Sequence, residues 1–349
     1  MTWEESKTHF MKKVKVEKAL GMALAHDVTR IVPGRFKGPA FKKGHIIREE
    51  DIPELKRIGK NHIYALEVSE SRIHEDAAAL RICRAVSGPG LEWTEPSEGK
   101  SAMTARFPGI LKVDAAGLLK INRIDDIIVS TLKTHFPCET GRTVAAARII
   151  PLTISKKKMD RFEAVAARHH PVLRIMPYRT FKIGAVVTGT EIYNGLIYDE
   201  FDEYVKKAAA SFGQDIEKKI VVPDDASAIA GAIGRLVGMG CDMIIATGGL
   251  SVDPDDVTRT GVLKAGAKLV AYGSPVIPGA MFLYARLGEI PIIGLPACVY
   301  YHRATVFNLI FPRILAGDEI TKKDIAEMGH GGLCLNCETC RYPECSFGK

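Results

Sequence analysis

The sequence predicts an α/β protein whose main domain is a mostly parallel sheet with helices on both faces. Three observations predict it. From Phe181 onward, short apolar runs (Ile183 to Thr188, Ile216 to Val222, Asp242 to Ala246, Lys268 to Tyr272 and Ile290 to Leu295) alternate with helix-length amphipathic stretches. Gly213, Gly240 and Gly266 fall where the intervening helices should stop, because glycine readily takes the left-handed conformation that ends a helix. The chain has 349 residues, 26% of them charged and 46% hydrophobic, which is enough for two or three ordinary domains.

Taken in order, residues 1–75 read as a small α+β domain. They hold a short helix around Glu17 to Ala25, a turn-rich segment Pro33-Gly34-Arg35-Phe36-Lys37-Gly38-Pro39, a helix opened by Asp51-Ile52-Pro53, and a strand from His62 to Val68. Residues 76–178 read as a middle mixed domain. An alanine-rich helix follows His74-Glu75-Asp76, then comes the loop Ser87-Gly88-Pro89-Gly90. Val144 to Ile154 is β-branched and apolar, and Lys156 to His169 has helical spacing before Pro171. Residues 179–320 form the α/β domain, and residues 329–349 a cysteine-rich tail.

Composition excludes several classes. No apolar run approaches the roughly 18 residues of a membrane span, and Met1 to Val16 lacks a signal-peptide core, so a cytoplasmic protein without membrane contact is expected. Residues 1–180 carry 32 Lys and Arg against 21 Asp and Glu, whereas residues 181–349 carry 16 against 20. A basic front half suits an anionic metabolite or an acidic protein. No basic stripe is interleaved with stacking aromatics, so no nucleic-acid partner is expected.

In an open parallel sheet, ligands bind beyond the carboxyl ends of the strands. Two exits are polar and small: Thr188-Gly189-Thr190-Glu191 and Thr247-Gly248-Gly249-Leu250-Ser251. Both offer backbone N–H groups and hydroxyls without side-chain bulk, as an anionic phosphate requires. After the second exit, Asp253, Asp255 and Asp256 can hold Mg²⁺ or activate a nucleophile. Asp253 as N-cap, Pro254 as N1 and Asp256 as N3 equally make an ordinary helix start, which leaves Asp255 and Asp256 for chemistry. Pro223-Asp224-Asp225 is a third exit with the same two readings. Cys298, at a further helix start, is either an acidified thiol or a small hydrophobe.

Together, Thr188-Gly189-Thr190-Glu191, Pro223-Asp224-Asp225, the Thr247 to Ser251 loop, Asp256-Val257-Thr258, Pro278-Gly279 and Gly294-Leu295-Pro296 resemble the molybdopterin-binding domain of molybdenum-cofactor biosynthesis proteins. The resemblance covers about 181–316. The first 70 residues, with Ala19 to Ala25, resemble the start of the molybdenumtransferase branch more weakly. The resemblance implies a three-layer α/β/α fold, a molybdopterin or molybdenum-cofactor ligand, and, for an enzyme, adenylyl or molybdenum transfer. It also implies roles for the residues: Gly248, Gly249 and Ser251 at the phosphate, Thr188, Gly189, Thr247, Pro278 and Gly279 around it, Asp256 in the transfer chemistry, and Asp224 and Glu191 at the remaining polar positions. A homo-oligomer and a molybdenum apoenzyme as recipient are further implied partners. The sequence departs from the family pattern at Asp253, at Ala297-Cys298-Val299, at Ile277-Pro278-Gly279-Ala280, where the flanking lysines are missing, and at Arg35-Phe36-Lys37-Gly38, which stands where the molybdenumtransferase branch has an Asp-Gly motif. The competence-damage-inducible pyrophosphatase relatives share the domain, so hydrolysis of a nucleotide-diphosphate ligand is the alternative activity.

Cys334, Cys337, Cys340 and Cys345 follow the spacing C-x2-C-x2-C-x4-C. The triple resembles a ferredoxin loop, although the fourth cysteine comes one residue late and Pro343 precedes it. An iron–sulfur cluster, Zn²⁺ and unmetallated thiols are the three readings. A metal-bearing tail admits a non-catalytic reading as well: a redox- or metal-sensing carrier of the pterin cofactor.

Overall fold

The computed structural model describes residues 9–32, 34–68, 71–251, 253 and 256–349. Asp255, an expected catalytic residue, and Pro254 lie outside the described residues. The chain forms two compact units, residues 1–134 with 138–175, and residues 135–137 with 176–349. Among the described residues no helix is long and apolar enough to cross a membrane.

In the first unit, His9–Lys15 pairs antiparallel with His62–Val68, and Val28–Val32 with Phe36–Phe41. The expected helix at Glu17 to Ala25 is only a 3₁₀ turn, Val16–Lys18. Gly21 turns at φ +76°, and Leu24 donates to His45 O and accepts from Gly44 N. Pairing across the chain thus overrides the helix propensity of alanine and leucine. Val16, Ala19, Leu24, Ile47 and Leu55 are buried beside this ladder. A second sheet runs Leu91–Trp93, Lys100–Ala105, Thr143–Ile149, Ile127–Thr131 in spatial order. Helix Glu75–Val86 packs on it, begun by His74 Nδ1, which accepts from Asp76 N.

The second unit is built on six strands: β1 (Ile183–Thr188), β2 (Ile216–Val222), β3 (Met243–Thr247), β4 (Lys268–Tyr272), β5 (Leu283–Leu287) and β6 (Ile290–Leu295). Their order is β2-β1-β3-β6-β5-β4. β1 is parallel to β2 and β3, and β3 to β6, while β5 is antiparallel to both β6 and β4. The sheet is therefore mostly parallel, as expected, with one strand the alternating pattern did not announce.

The inner strands are apolar throughout because both faces are covered. Ile183, Ala185, Val187, Met243, Ile245, Ile293 and Leu295 face Phe307, Ile310 and Phe311 of helix Val306–Leu315. Val186, Ile244, Ala246 and Ile292, the alternate positions, face Ile229, Ile233 and Leu236 of helix Ala226–Gly238 and Val262 of helix Thr258–Lys264. Two cores on opposite faces of one sheet make the three layers. The outer strand β2 keeps Glu217, Lys218 and Lys219 exposed, which discourages edge pairing.

Gly213, Gly240 and Gly266 end helical segments at φ +72°, +83° and +91°. Asp225, not Asp224, caps helix Ala226–Gly238, its side chain accepting from Ala228 N at 2.7 Å. Asp225→Ala should lower stability by about 1 kcal/mol. A thermal melt of the full chain checks this, and an unchanged midpoint would remove the capping role.

Candidate functional site

The strand order fixes where a ligand site can lie. From β1 the chain moves outward to β2, and from β3 it moves the opposite way toward β4, so the carboxyl ends of β1 and β3 are the switch point at which an open α/β sheet has its ligand crevice. Both exits singled out in the sequence are at this crevice.

The two loops meet through hydroxyls and glycines. Thr188 Oγ1 donates to Thr247 O at 3.1 Å and lies 3.2 Å from Thr258 Oγ1. Thr258 Oγ1 donates to Gly248 O at 2.9 Å, and Thr258 N to Gly249 O at 3.2 Å. Gly248 has φ +86°, and a Cβ built on it would stand 2.3 Å from Thr188 O. Gly249 has φ +53°, and a Cβ there would lie 2.8 Å from Thr258 Oγ1, 3.3 Å from Thr188 Oγ1 and 3.6 Å from Asp224 Oδ1. Only glycine lets the β3 exit approach the β1 exit this closely without strain.

Asp224 joins β2 to the same point. Its Oδ2 accepts from Thr190 N at 2.8 Å and from Thr190 Oγ1 at 3.1 Å, while Asp224 N donates to Thr190 Oγ1 at 3.2 Å. Gly189, at φ +150°, starts the short helix Thr190–Tyr193, on which Glu191 is exposed. Beyond it Tyr193, Leu196, Ile197 and Tyr198 are exposed, an apolar stretch beside a polar crevice.

The far end of the glycine loop is held by Tyr272, whose hydroxyl donates to Leu250 O at 3.1 Å and Ser251 O at 3.4 Å. Arg259 sits 4.9 Å over the Tyr272 ring. Tyr300 donates to Thr247 Oγ1 at 3.1 Å, and burial pushes its phenol up to about 12, so it remains a neutral donor at physiological pH.

The expected helix start at Asp253 is corrected. Helix Thr258–Lys264 begins five residues later, with Val257 as N-cap. Asp256 instead closes a turn: its Oδ2 accepts from Asp253 N, and Asp256 N donates to Asp253 O, both at 3.0 Å. The side-chain bond therefore runs from Asp256 back to Asp253. The hydroxyl of Thr258 is drawn to Gly248 and Thr188, so the first helical residue is set by tertiary contacts rather than by the Asp-Pro signal.

Thr188, Gly189, Asp224, Thr247, Gly248 and Gly249 are brought together. Pro278 and Gly279 have other partners: Pro278 O accepts from Val306 N at 3.1 Å, Gly279 O from Ser274 Oγ at 2.9 Å, and Ile277 pairs with Gly332 and Cys334. The Cys298 thiol is not acidified, because burial raises its pKa and the small-hydrophobe reading applies. Among the described residues no group of three or more His, Cys, Asp or Glu is arranged to hold a single metal ion. This holds for the tail cysteines as a Zn²⁺ site; of the carboxylates expected to bind Mg²⁺, Asp255 lies outside the described residues. Sequence reading held Thr258 only as the end of the Asp256-Val257-Thr258 motif, with no role, and gave none to Tyr272 or Tyr300.

Residues 184–316 match the family model described as a probable molybdopterin binding domain, and residues 13–67 match a domain of unknown function. The resemblance expected from the strand-exit motifs is met over this domain. A CinA-like protein of Amoebophilus asiaticus is 30% identical over 117 residues, 34% of this chain and 26% of the relative. One from Citrifermentans bemidjiense is 33% identical over 84 residues, 24% of this chain and 20% of the relative. The matched segment thus spans about a quarter or less of these relatives. Similar solved structures include CinA, of unknown function, from Thermoplasma acidophilum, with 19% identity, TM-score 0.31, and coverage of 35% of this chain and 90% of that one. The tungsten cofactor synthesizing protein MoaB from Pyrococcus furiosus has 18% identity and TM-score 0.30, with 35% of this chain and 85% of that one covered. The molybdopterin biosynthesis MoeA protein from Pyrococcus horikosii has 14% identity and TM-score 0.34, with 89% of this chain and 75% of that one covered.

Proposed function

We propose, for a chain whose residues 184–316 match the molybdopterin-binding domain family, that this domain binds molybdopterin or molybdenum cofactor at the β1–β3 crevice, in the biosynthesis, modification or delivery of that cofactor. One observation carries the reading: Gly248 and Gly249, both at positive φ, bring bare backbone to within contact of Thr188 where the sheet changes direction. Backbone amides and hydroxyls gathered there suit the terminal phosphate of the pterin. Thr190 and Ser251 add hydroxyls on either side, and Glu191 stands at the rim. Tyr193 and Tyr198 supply exposed rings on which a planar pterin can stack.

Asp256 is the acid–base or metal-binding group of this reading, with Asp224 and Asp255 as the further candidate carboxylates, whether the reaction is adenylyl transfer, molybdenum transfer or hydrolysis of a nucleotide-diphosphate ligand with Mg²⁺. Because Asp256 also closes the turn to Asp253, its two roles are separable. Asp256→Asn keeps an acceptor for Asp253 N and should retain pterin affinity within about threefold while turnover falls at least ~100-fold. Asp256→Ala should lose both. Equal turnover in Asp256→Asn and the parent would leave only the structural role.

The deciding experiment is purification of the full chain without oxygen, acid release of its contents, and identification of any pterin by fluorescence and mass spectrometry, followed by titration of the emptied protein with molybdopterin. Failure both to carry and to bind a pterin overturns the reading. A bound pterin with no turnover, handed on to a molybdenum apoenzyme, makes the protein a carrier.

A further inference from the structure

We propose that Cys334, Cys337, Cys340 and Cys345 hold a [4Fe–4S] cluster. This goes beyond the pterin reading and does not depend on it. All four are free thiols, and all four line one cavity of about 230 Å³.

The cavity belongs to a folded segment rather than a loose end. Cys334 N donates to Ile277 O at 2.9 Å, Tyr342 OH to Asn308 O at 2.8 Å, and Gly348 N to Gly331 O at 2.8 Å, which closes the segment on itself. Phe347 is 2% exposed within the core that also contains Phe307 and Phe311. Gly348 packs so tightly that a Cβ there would lie 2.4 Å from Leu309 Cδ2. Asn336 takes the left-handed conformation, φ +51°, turning the chain between Cys334 and Cys337. The cavity opens to solvent, with Tyr301, Leu335 and Cys337 exposed in its lining, while its floor is the packed core.

The arrangement also selects the occupant. A single Zn²⁺ needs its sulfurs about 2.3 Å from one point, hence within roughly 4 Å of each other. No three of these cysteines converge in that way. A cubane instead takes one thiolate at each of four iron corners, so its ligands border a volume rather than a point, and all four cysteines line the one cavity. Charge agrees. Four thiolates about a [4Fe–4S]²⁺ core leave a net charge of −2, and Arg303 and Arg341 line the cavity against one acid, Glu338. Assembly balances with two ferrous ions, two ferric ions and four sulfides, each thiol releasing its proton to solvent.

The proposed cluster has a link to the crevice. Tyr300 donates to Thr247 Oγ1, and the next two residues, Tyr301 and His302, line the cysteine cavity.

The test uses the full chain, purified under argon and incubated with equal ferrous and ferric iron and sulfide, then freed of excess ions. About four iron and four acid-labile sulfide per chain are expected, with a brown visible absorption that dithionite bleaches. The double variant Cys337→Ala/Cys340→Ala should lose at least tenfold in iron with its circular dichroism unchanged, whereas Cys83→Ala, in the other unit, should keep full iron. One zinc per chain without sulfide, two iron with two sulfide, or no bound metal would each overturn the proposal; the first measurement needs no variant, so misfolding of the double variant cannot obscure it.

Discussion

Gly249→Val is expected to weaken binding of molybdopterin by at least ~100-fold, equivalent to about 2.7 kcal/mol, while the protein still folds. The position sits at φ +53°, where a β-branched residue is strongly disfavoured, and its Cβ would enter the space between Thr258 Oγ1, Thr188 Oγ1 and Asp224 Oδ1. Two of those three neighbours are hydroxyls that can swing aside, so the fold tolerates the intrusion. A phosphate anchored through charge-assisted hydrogen bonds does not, since each bond that a methyl group displaces is worth about 1.5–3 kcal/mol. Gly248 provides the contrast: its Cβ would meet the backbone oxygen of Thr188 at 2.3 Å, and backbone inside a central strand cannot move away. Gly248→Val should therefore lose the fold along with the affinity. Fluorescence titration of the pterin together with calorimetric melting separates the two variants. Binding by Gly249→Val within threefold of the parent would sink the cradle assignment.

How far the fold can be read from the sequence depends on whether the deciding contacts are local. β1, β3 and β6 are legible because strands buried on both faces must be apolar at every position, and helix ends are legible where glycine takes positive φ. β5 escapes notice because it follows β4 and precedes β6 with no helix between, joined to β6 by a turn at Gly288 with φ +58°. A rhythm of strand and helix has no place for it. The misread segment at Glu17 to Ala25 has strong helix formers whose backbone pairs instead with residues 44 to 47.

The candidate site divides along the same line. Its glycines and acids announce themselves as strand exits, which a parallel sheet always places at one end. The groups that tie the exits together do not. Thr258 reaches Thr188 across 70 residues, and Tyr300 reaches Thr247 across 53, and nothing local distinguishes either residue from a surface threonine or a core tyrosine. Asp256 is legible as an acid near a phosphate loop, yet its bond to Asp253 N is visible only once the turn is folded.

In the first unit, Glu75→Gln should stabilise the fold above pH 7 by about 3 kcal/mol and flatten its dependence on pH. Glu75 opens helix Glu75–Val86, where the helix dipole favours negative charge, but it is only 5% exposed. Burial, followed by repulsion from Asp76, pushes its carboxyl up to about 7 from 4.5; Arg148 and Lys43 pull the other way without prevailing. Below pH 4.5 the group is neutral in both folded and unfolded chains, so its stabilising contribution is fully present. Between 4.5 and 7 the unfolded chain releases the proton and the folded unit keeps it, so stability falls as pH rises. Above 7 the folded unit carries a buried carboxylate and the loss is complete. Glutamine has nearly the same shape and no proton to release, so the variant should show no such fall. Hydrogen exchange of the amides of helix Glu75–Val86 at pH 5 and pH 8 reports this unit's opening separately. His74 lies beside Glu75, bonds Asp76 N and is common to parent and variant. Parallel pH profiles for the two proteins would mean that Glu75 is ionised in the folded unit at neutral pH.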